Sequence, residues 1–174
     1  MQPIDPPTAF SMDFFSLKGK TAIVTGGNSG LGQAFAVALA TAGANLFVPA
    51  LREEHTQTRK LIEQQGVELE FMLADITDGG MPQRIIAACC ERFGIVDILV
   101  NNAGICQLNK VLRFGRTDWD PMIETNLTAA FELSHEAAKI MVPRRSGKII
   151  NICSVFSYLG GSWSMPPPSM RWLA

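Results

Sequence analysis

The sequence predicts an α/β fold: a three-layer, doubly wound parallel sheet with helices on both faces. Three observations lead there. Short apolar runs alternate strictly with helix-patterned stretches, and the connections between them are short. The apolar runs are continuous rather than alternating in and out, as strands buried on both faces require. Right-handed crossovers then wind the chain about a parallel sheet.

Each element follows from its own pattern. Residues 20–25 (KTAIVT) are an apolar, β-rich run, hence a buried strand. Residues 26–32 form a glycine-rich turn. Residues 31–42 are alanine-rich and apolar around most of the circumference, hence a buried helix that Gly43 ends. A second strand spans 44–49 and a polar helix 53–65, closed by Gly66. A third strand runs over 67–74. Thr77 or Asp78 caps a helix that reaches 93, with Pro82 in its first turn. A fourth strand covers 95–100. One long helix spans 118–141, with Pro121 in its opening turn, and a fifth strand spans 148–153. Asp97, ahead of the fourth strand's apolar residues, is expected to cap or pair locally.

Composition narrows the function classes. The 174 residues carry a formal net charge of -1, which excludes a nucleic-acid or membrane-surface binder driven by bulk charge. Hydrophobic residues make up 47% against 18% charged, so the chain has enough apolar surface to fold. Four cysteines with no metal-ligand spacing make neither a disulfide scaffold nor a zinc site, and a reducing, cytoplasmic compartment fits them. Residues 1–11 lack the basic and apolar regions of an export signal, and translation is expected to start at Met1 or Met12. Residues 34–51 are uncharged, but Gly43, Asn45 and Pro49 break them into helix end, turn and strand rather than a membrane span. His55 and His135 lie in expected helices with no partner pattern, and the Cys89–Cys90 pair reads as core filling.

The turn Thr25-Gly26-Gly27-Asn28-Ser29-Gly30-Leu31-Gly32 carries the first chemical signal. A phosphate needs close backbone approach, exposed N–H donors and the positive end of a helix dipole. Glycines remove the Cβ atoms that would obstruct it. The spacing is G-x-x-x-G-x-G, and Gly32, Ala34, Ala36, Ala38 and Ala40 let the next helix pack tightly on the sheet. A plain glycine-rich connection would need neither the strand before nor the small-residue helix after.

With these residues the sequence resembles the short-chain dehydrogenase/reductase family, which has a Rossmann-like fold. The T-G-x-x-x-G-x-G turn matches that family's coenzyme motif, and further matches follow in order along the chain. Asp75, followed by Ile76, closes the third strand where the family's aspartate shapes the adenine pocket. Asn101-Asn102-Ala103-Gly104 matches the N-N-A-G motif, Asn126 the helix asparagine, and Ser154 the active-site serine. The wording around them looks most like the gluconate and deoxygluconate dehydrogenases. The resemblance implies coenzyme contacts at Thr25, Gly26, Asn28, Ser29, Gly30, Leu31, Gly32, Asp75, Ile76, Asn102, Ala103 and Gly104. It implies catalytic roles for Asn126 and Ser154. It also implies NAD as coenzyme, with NADP as the alternative, a sugar acid or other polyol as substrate, and homo-oligomers.

The proton-transfer pair that the resemblance implies, Tyr-x-x-x-Lys, is missing. Tyr158 is the only tyrosine, only four residues after Ser154, and no lysine follows Lys148. The prolines at 166–168 forbid the helix that should carry the pair. Codons exist for residues 164–173 that read Tyr-Ala-Ala-Thr-Lys when shifted by two bases, so a frameshifted or truncated family member is expected. The expected organisation is a flexible arm over 1–13, a dinucleotide-binding domain over 14–161 and an irregular tail over 162–174. The fifth strand is then an uncovered edge, and the product a poorly soluble one. The alternative function is a dinucleotide binder without catalysis. At the end of the second strand, Ala50 offers no carboxylate for ribose hydroxyls; Arg52 is a candidate for a 2′-phosphate or a solvated charge at the helix start, and Glu53 and Glu54 argue against a phosphate there.

Overall fold

The computed structural model describes residues 12–52, 56–107 and 110–154. Residues 1–11 of the expected arm, the expected tail, and Glu53, Glu54, His55 and Tyr158 lie outside the described residues, while the arm's last two residues open a 3-10 turn, Met12–Phe15. Five strands form one parallel sheet: β1 (Thr21–Val24), β2 (Asn45–Ala50), β3 (Leu69–Leu73), β4 (Ile98–Asn101) and β5 (Lys148–Asn151), in the order β3-β2-β1-β4-β5. Every pairing is parallel, and Ile23 registers with Phe47 on one side and Leu99 on the other. The connections are α1 (Gly30–Thr41), α2 (Thr56–Glu63), α3 (Met81–Phe93) and a two-part helix, α4 (Arg116–Ile123) and α5 (Ala129–Met141).

Strand alternation divides the interior into two layers. Ile23, Phe47 and Leu99 face α3 and α5, packing with Ile85, Cys89 and Leu133. Ala22, Val24, Leu46, Val48 and Val100 face α1 and α2, packing with Ala36, Ala40 and Ile62. The expected doubly wound sheet is therefore the observed one. From β1 the chain winds outward to β2 and β3, then crosses back to β4 on the other side. The C-terminal ends of β1 and β4 thus form the switch point where such sheets hold ligands.

Several local expectations need correction. α1 is buried only along the stripe Gly32, Ala36 and Ala40, and Leu31 is 68% exposed. Alanine is small enough for either environment, so an apolar circumference did not mean burial all round. Neither Thr77 nor Asp78 caps α3: the cap position is Gly80, with φ 76°, and Thr77 instead bonds to Asp75. The long helix is not one regular piece, since residues 124–128 between α4 and α5 wind as a π-helical segment. Asp97 pairs far along the chain rather than locally. Its carboxylate accepts from the Thr21 amide (3.1 Å) and Arg144 (3.0 Å), with Lys20 Nζ at 3.7 Å. β5 has all four residues exposed and ends the sheet among the described residues.

Candidate functional site

The site is assembled from the β1–α1 turn outward. Thr25 ends β1 with its amide bonded to the Val100 carbonyl at 3.1 Å. Its hydroxyl is a junction: Oγ1 donates to the Val100 carbonyl (3.4 Å) and accepts from the Asn102 and Ala103 amides (3.0 and 2.9 Å). Asn102 Nδ2 returns a bond to the Thr25 carbonyl at 2.9 Å. A side chain that can donate and accept at once thereby locks the coenzyme-type turn to the end of β4.

Two glycines in this turn are required by geometry. Gly26 has φ 63° and its amide bonds to the Pro49 carbonyl. Gly32 sits so close under the turn that a Cβ there would overlap the Gly26 carbonyl oxygen and Asn102 Nδ2. α1 therefore starts directly against the turn. The amides of Asn28, Ser29, Gly30 and Leu31 have no acceptor among the described residues, while the Ser29 carbonyl accepts from Gln33. A helix N-terminus with several unsatisfied N–H groups and no side chain in the way is suited to an anionic, pyrophosphate-like group. The arrangement fits a dinucleotide phosphate on geometry alone.

The N-N-A-G residues then lead into a cavity of about 470 Å³. Asn102, Ala103 and Gly104 line it, with Asn126 on one wall and Ser154 on another. Asn126 lies in the π-helical segment. It clasps the backbone of Ile105, accepting from its amide at 2.9 Å and donating to its carbonyl at 2.8 Å. The local widening of the helix and this two-point clasp fix the loop after β4 beside the cavity. Both expected catalytic positions, Asn126 and Ser154, thus face one space that also reaches the glycine turn through Asn102.

Asp75 lies two residues past the end of β3 rather than closing it, and its Oδ1 is engaged by Thr77, through the amide at 2.9 Å and the hydroxyl at 2.7 Å. The Ile76 side chain packs in the core. Ala50 is buried at the end of β2, with Leu51 and Arg52 exposed beyond it.

Some of the arrangement has no signal in sequence spacing. Asn101, 6% exposed, directs its two Nδ2 hydrogens to Ser134 Oγ (2.9 Å) and Asn151 Oδ1 (2.8 Å), with Ala130 O sharing one of them at 3.3 Å. These bonds tie β4 to α5 and β5 beside the cavity, and Asn101 Oδ1 has no partner among the described residues. Thr58 on α2 reaches the glycine turn from behind. Cys106 and Cys153 both line the cavity wall. Burial pushes the Cys89 thiol up to about 12, with Cys90 and Asp97 adding to the shift. Among the described residues there is no metal-binding cluster, and no helix is long and apolar enough to cross a membrane.

Comparison with known proteins agrees with this geometry. The family model of the short chain dehydrogenases matches residues 20–165. An uncharacterized oxidoreductase of Escherichia coli (strain K12), YgcW, is 74% identical over 161 residues, covering 92% of this chain and 62% of its own length. The 2-dehydro-3-deoxy-D-gluconate 5-dehydrogenase of Bacillus subtilis (strain 168) is 41% identical over 152 residues, 86% of this chain and 58% of the relative. A crystal structure from Agrobacterium tumefaciens, provisionally assigned as a 2-deoxy-D-gluconate 3-dehydrogenase and holding bound NADP, superposes with a TM-score of 0.78. Its identity is 38%, over 90% of this chain and 61% of that one. The chain thus spans about three fifths of the length of the curated relatives it matches.

Proposed function

The chain belongs to the short-chain dehydrogenase family, and from that premise we propose that it supplies the coenzyme-holding part of an NAD(P)-dependent oxidoreductase acting on a hydroxyl or keto group of a sugar acid. One observation carries the proposal: the four acceptorless amides of residues 28–31 surround a turn in which Gly32 leaves room for no side chain. Thr25, Gly26, Asn28, Ser29, Gly30, Leu31 and Gly32 would hold the pyrophosphate. Asp75 and Ile76 stand where the adenine would lie, and Asn102, Ala103 and Gly104 at the approach to the nicotinamide. A nicotinamide coenzyme, when bound, supplies the hydride acceptor or donor. Ser154 would orient the substrate oxygen. Asn126 would hold the loop at Ile105 in place beside it, through the clasp described above.

Support for the sugar-acid class comes from the likeness to gluconate-type dehydrogenases. Support for coenzyme choice comes from the end of β2. NAD is the reading that the resemblance in sequence implies, while the similar Agrobacterium tumefaciens structure holds NADP. NADP is the second reading, favoured by the exposed Arg52 and by the buried Ala50 where a carboxylate would hold ribose hydroxyls.

A second reading of the chain as a whole, dinucleotide binding without turnover, is favoured by its content of proton carriers. Its one tyrosine is Tyr158, and no lysine follows Lys148. Two measurements on the 174-residue chain separate the readings. Thermal-shift titration with NAD and NADP reports binding, and NAD(P)H production with gluconate-type substrates reports turnover. Binding with no turnover selects the binder, turnover selects the dehydrogenase, and no binding of either dinucleotide rejects both.

A further inference from the structure

Thr58 lies on α2, a polar β-branched residue with no exposed surface at all. Its hydroxyl donates to the carbonyl of Asn28, inside the glycine turn, at 2.9 Å. It accepts at the same time from Gln33 Nε2, at 2.5 Å, in the first turns of α1. Because Gln33 takes up a lone pair as donor, the one hydroxyl hydrogen is committed to Asn28.

That commitment has a directional consequence. The chain contains no cis peptide bond among the described residues. In a trans peptide the C=O and the N–H point in opposite directions across one plane. Drawing the Asn28 carbonyl toward α2 therefore turns the Ser29 N–H away from α2, where it has no acceptor among the described residues. Rotating the same peptide plane the other way would present a carbonyl to an anion in place of a donor.

We propose that Thr58 is a positioning residue for the coenzyme turn: its hydroxyl sets the orientation of the Asn28–Ser29 peptide so that the Ser29 amide is presented to a pyrophosphate. The inference rests on the reading of the turn as a dinucleotide site. It adds to that reading a residue outside the turn, on the helix that follows the ribose end of β2. Binding at the phosphates is thereby coupled to the placement of α2.

The test is calorimetric titration of the 174-residue chain with ADP and, separately, with adenosine, which lacks the phosphates. Thr58→Val keeps the shape and removes the hydroxyl, and is expected to weaken ADP about tenfold. Adenosine should change by less than about twofold, because it makes no use of the Ser29 amide. Thr58→Ser keeps the hydroxyl and is expected to stay within about twofold of wild type for ADP. A purely structural role for Thr58 would move ADP and adenosine alike. ADP binding unaffected by Thr58→Val overturns the inference. So does an equal loss in Thr58→Ser, which would assign the effect to the methyl group. If Thr58→Val does not fold, Thr58→Cys decides: its weakly donating thiol should weaken ADP about fivefold, and wild-type affinity in it overturns the inference. Wild-type protein that binds no ADP overturns the reading of the turn itself, and so is distinguishable from a failure confined to Thr58.

Discussion

β4 has two neighbours in the sheet, and the chain treats them differently. On the β1 side, backbone meets backbone through a glycine turn, with Thr25, Asn102 and Ala103 locked by short hydrogen bonds and Gly32 pressed beneath them. On the β5 side, all four strand residues are exposed, Ile149 and Ile150 by 38% and 44%, and the strand is held by its ladder to β4 and by polar links at its ends. At its start the Lys148 amide bonds to the Asp97 carbonyl; at its end Asn151 meets Asn101. The difference teaches that the glycine turn is fixed by close packing and short hydrogen bonds to β4 and α2, although its own residues are consecutive. The cavity is lined by residues from β4, α5 and the end of β5, and Ser154 borders it beyond that exposed strand. The β1 side is set by packing and the β5 side by a few charged and polar contacts, so perturbations should separate the two.

The largest effect is expected on the packed side. Gly32→Ala places a methyl group against the Gly26 carbonyl and Asn102 Nδ2, and neither backbone nor a locked amide can yield cheaply. The turn must open, taking with it the Thr25 junction. Dinucleotide affinity should fall by more than about a hundredfold, and stability by about 3 kcal/mol. Titration calorimetry and chemical denaturation read the two. Near-normal affinity in this variant would mean that the turn is not held by packing, and the contrast between the two sides would fail.

The same contrast explains what could be read from the sequence. The strands of the packed side are apolar runs bounded by glycines, and the turn announces itself because its glycines answer local steric demands. The sheet and its handedness follow from alternation alone. What escaped detection is what depends on distant partners. Asp97 lies beside an apolar strand and looks local, yet its partners Thr21 and Arg144 lie 76 and 47 residues away. Thr58 is an ordinary polar residue on a polar helix, and only the fold turns its hydroxyl to Asn28. The π-helical segment at Asn126 has no composition signal, since its residues suit an α-helix as well. Small side chains misled in the opposite direction: the alanines of α1 gave no sign of which face is outside.

A second, smaller effect should appear at the far end of the sheet, where the Asp97 carboxylate joins the start of β1 to Arg144 and its carbonyl meets the start of β5. Asp97 is buried, which opposes its ionisation, but hydrogen bonds from Arg144 and the Thr21 amide and the charges of Lys20 and Arg144 outweigh the burial, so its carboxyl titrates below its ordinary range. A lowered folded-state value means that the stabilisation is present above the ordinary carboxylate value, about 3.9. It is lost as pH falls below that point and through the folded-state value. Asp97→Ala should cost about 2 kcal/mol near neutral pH, less than a fully buried pair because Lys20 and Arg144 can regain water. Denaturation curves of the variant should also lose part of the wild-type decline below pH 4. Dinucleotide affinity should not change, since Asp97 sits at the end of the sheet opposite the turn. A fall in affinity matching the fall in stability would join the two sides into one unit.

The smallest effect has the opposite sign. α5 ends in a reversal where the Ser146 amide bonds to the Met141 carbonyl and the Arg145 amide to the Val142 carbonyl. This is the pairing that places a left-handed residue just past a helix, a position glycine usually fills. Here Arg145 fills it, with φ 51°. A side chain in that conformation costs about 1 kcal/mol, because Cβ crowds the following carbonyl. Arg145→Gly removes the crowding and gives back part of the gain through the looser unfolded chain. The net should be a stabilisation of about 0.5 kcal/mol, seen as a rise of one or two degrees in Tm. Because the turn feeds directly into β5, the gain should protect the β5 amides from hydrogen exchange more than those of β1. Equal protection of both strands would show that β5 opens only when the whole sheet does, and the weaker side of β4 would then be weaker in surface burial alone.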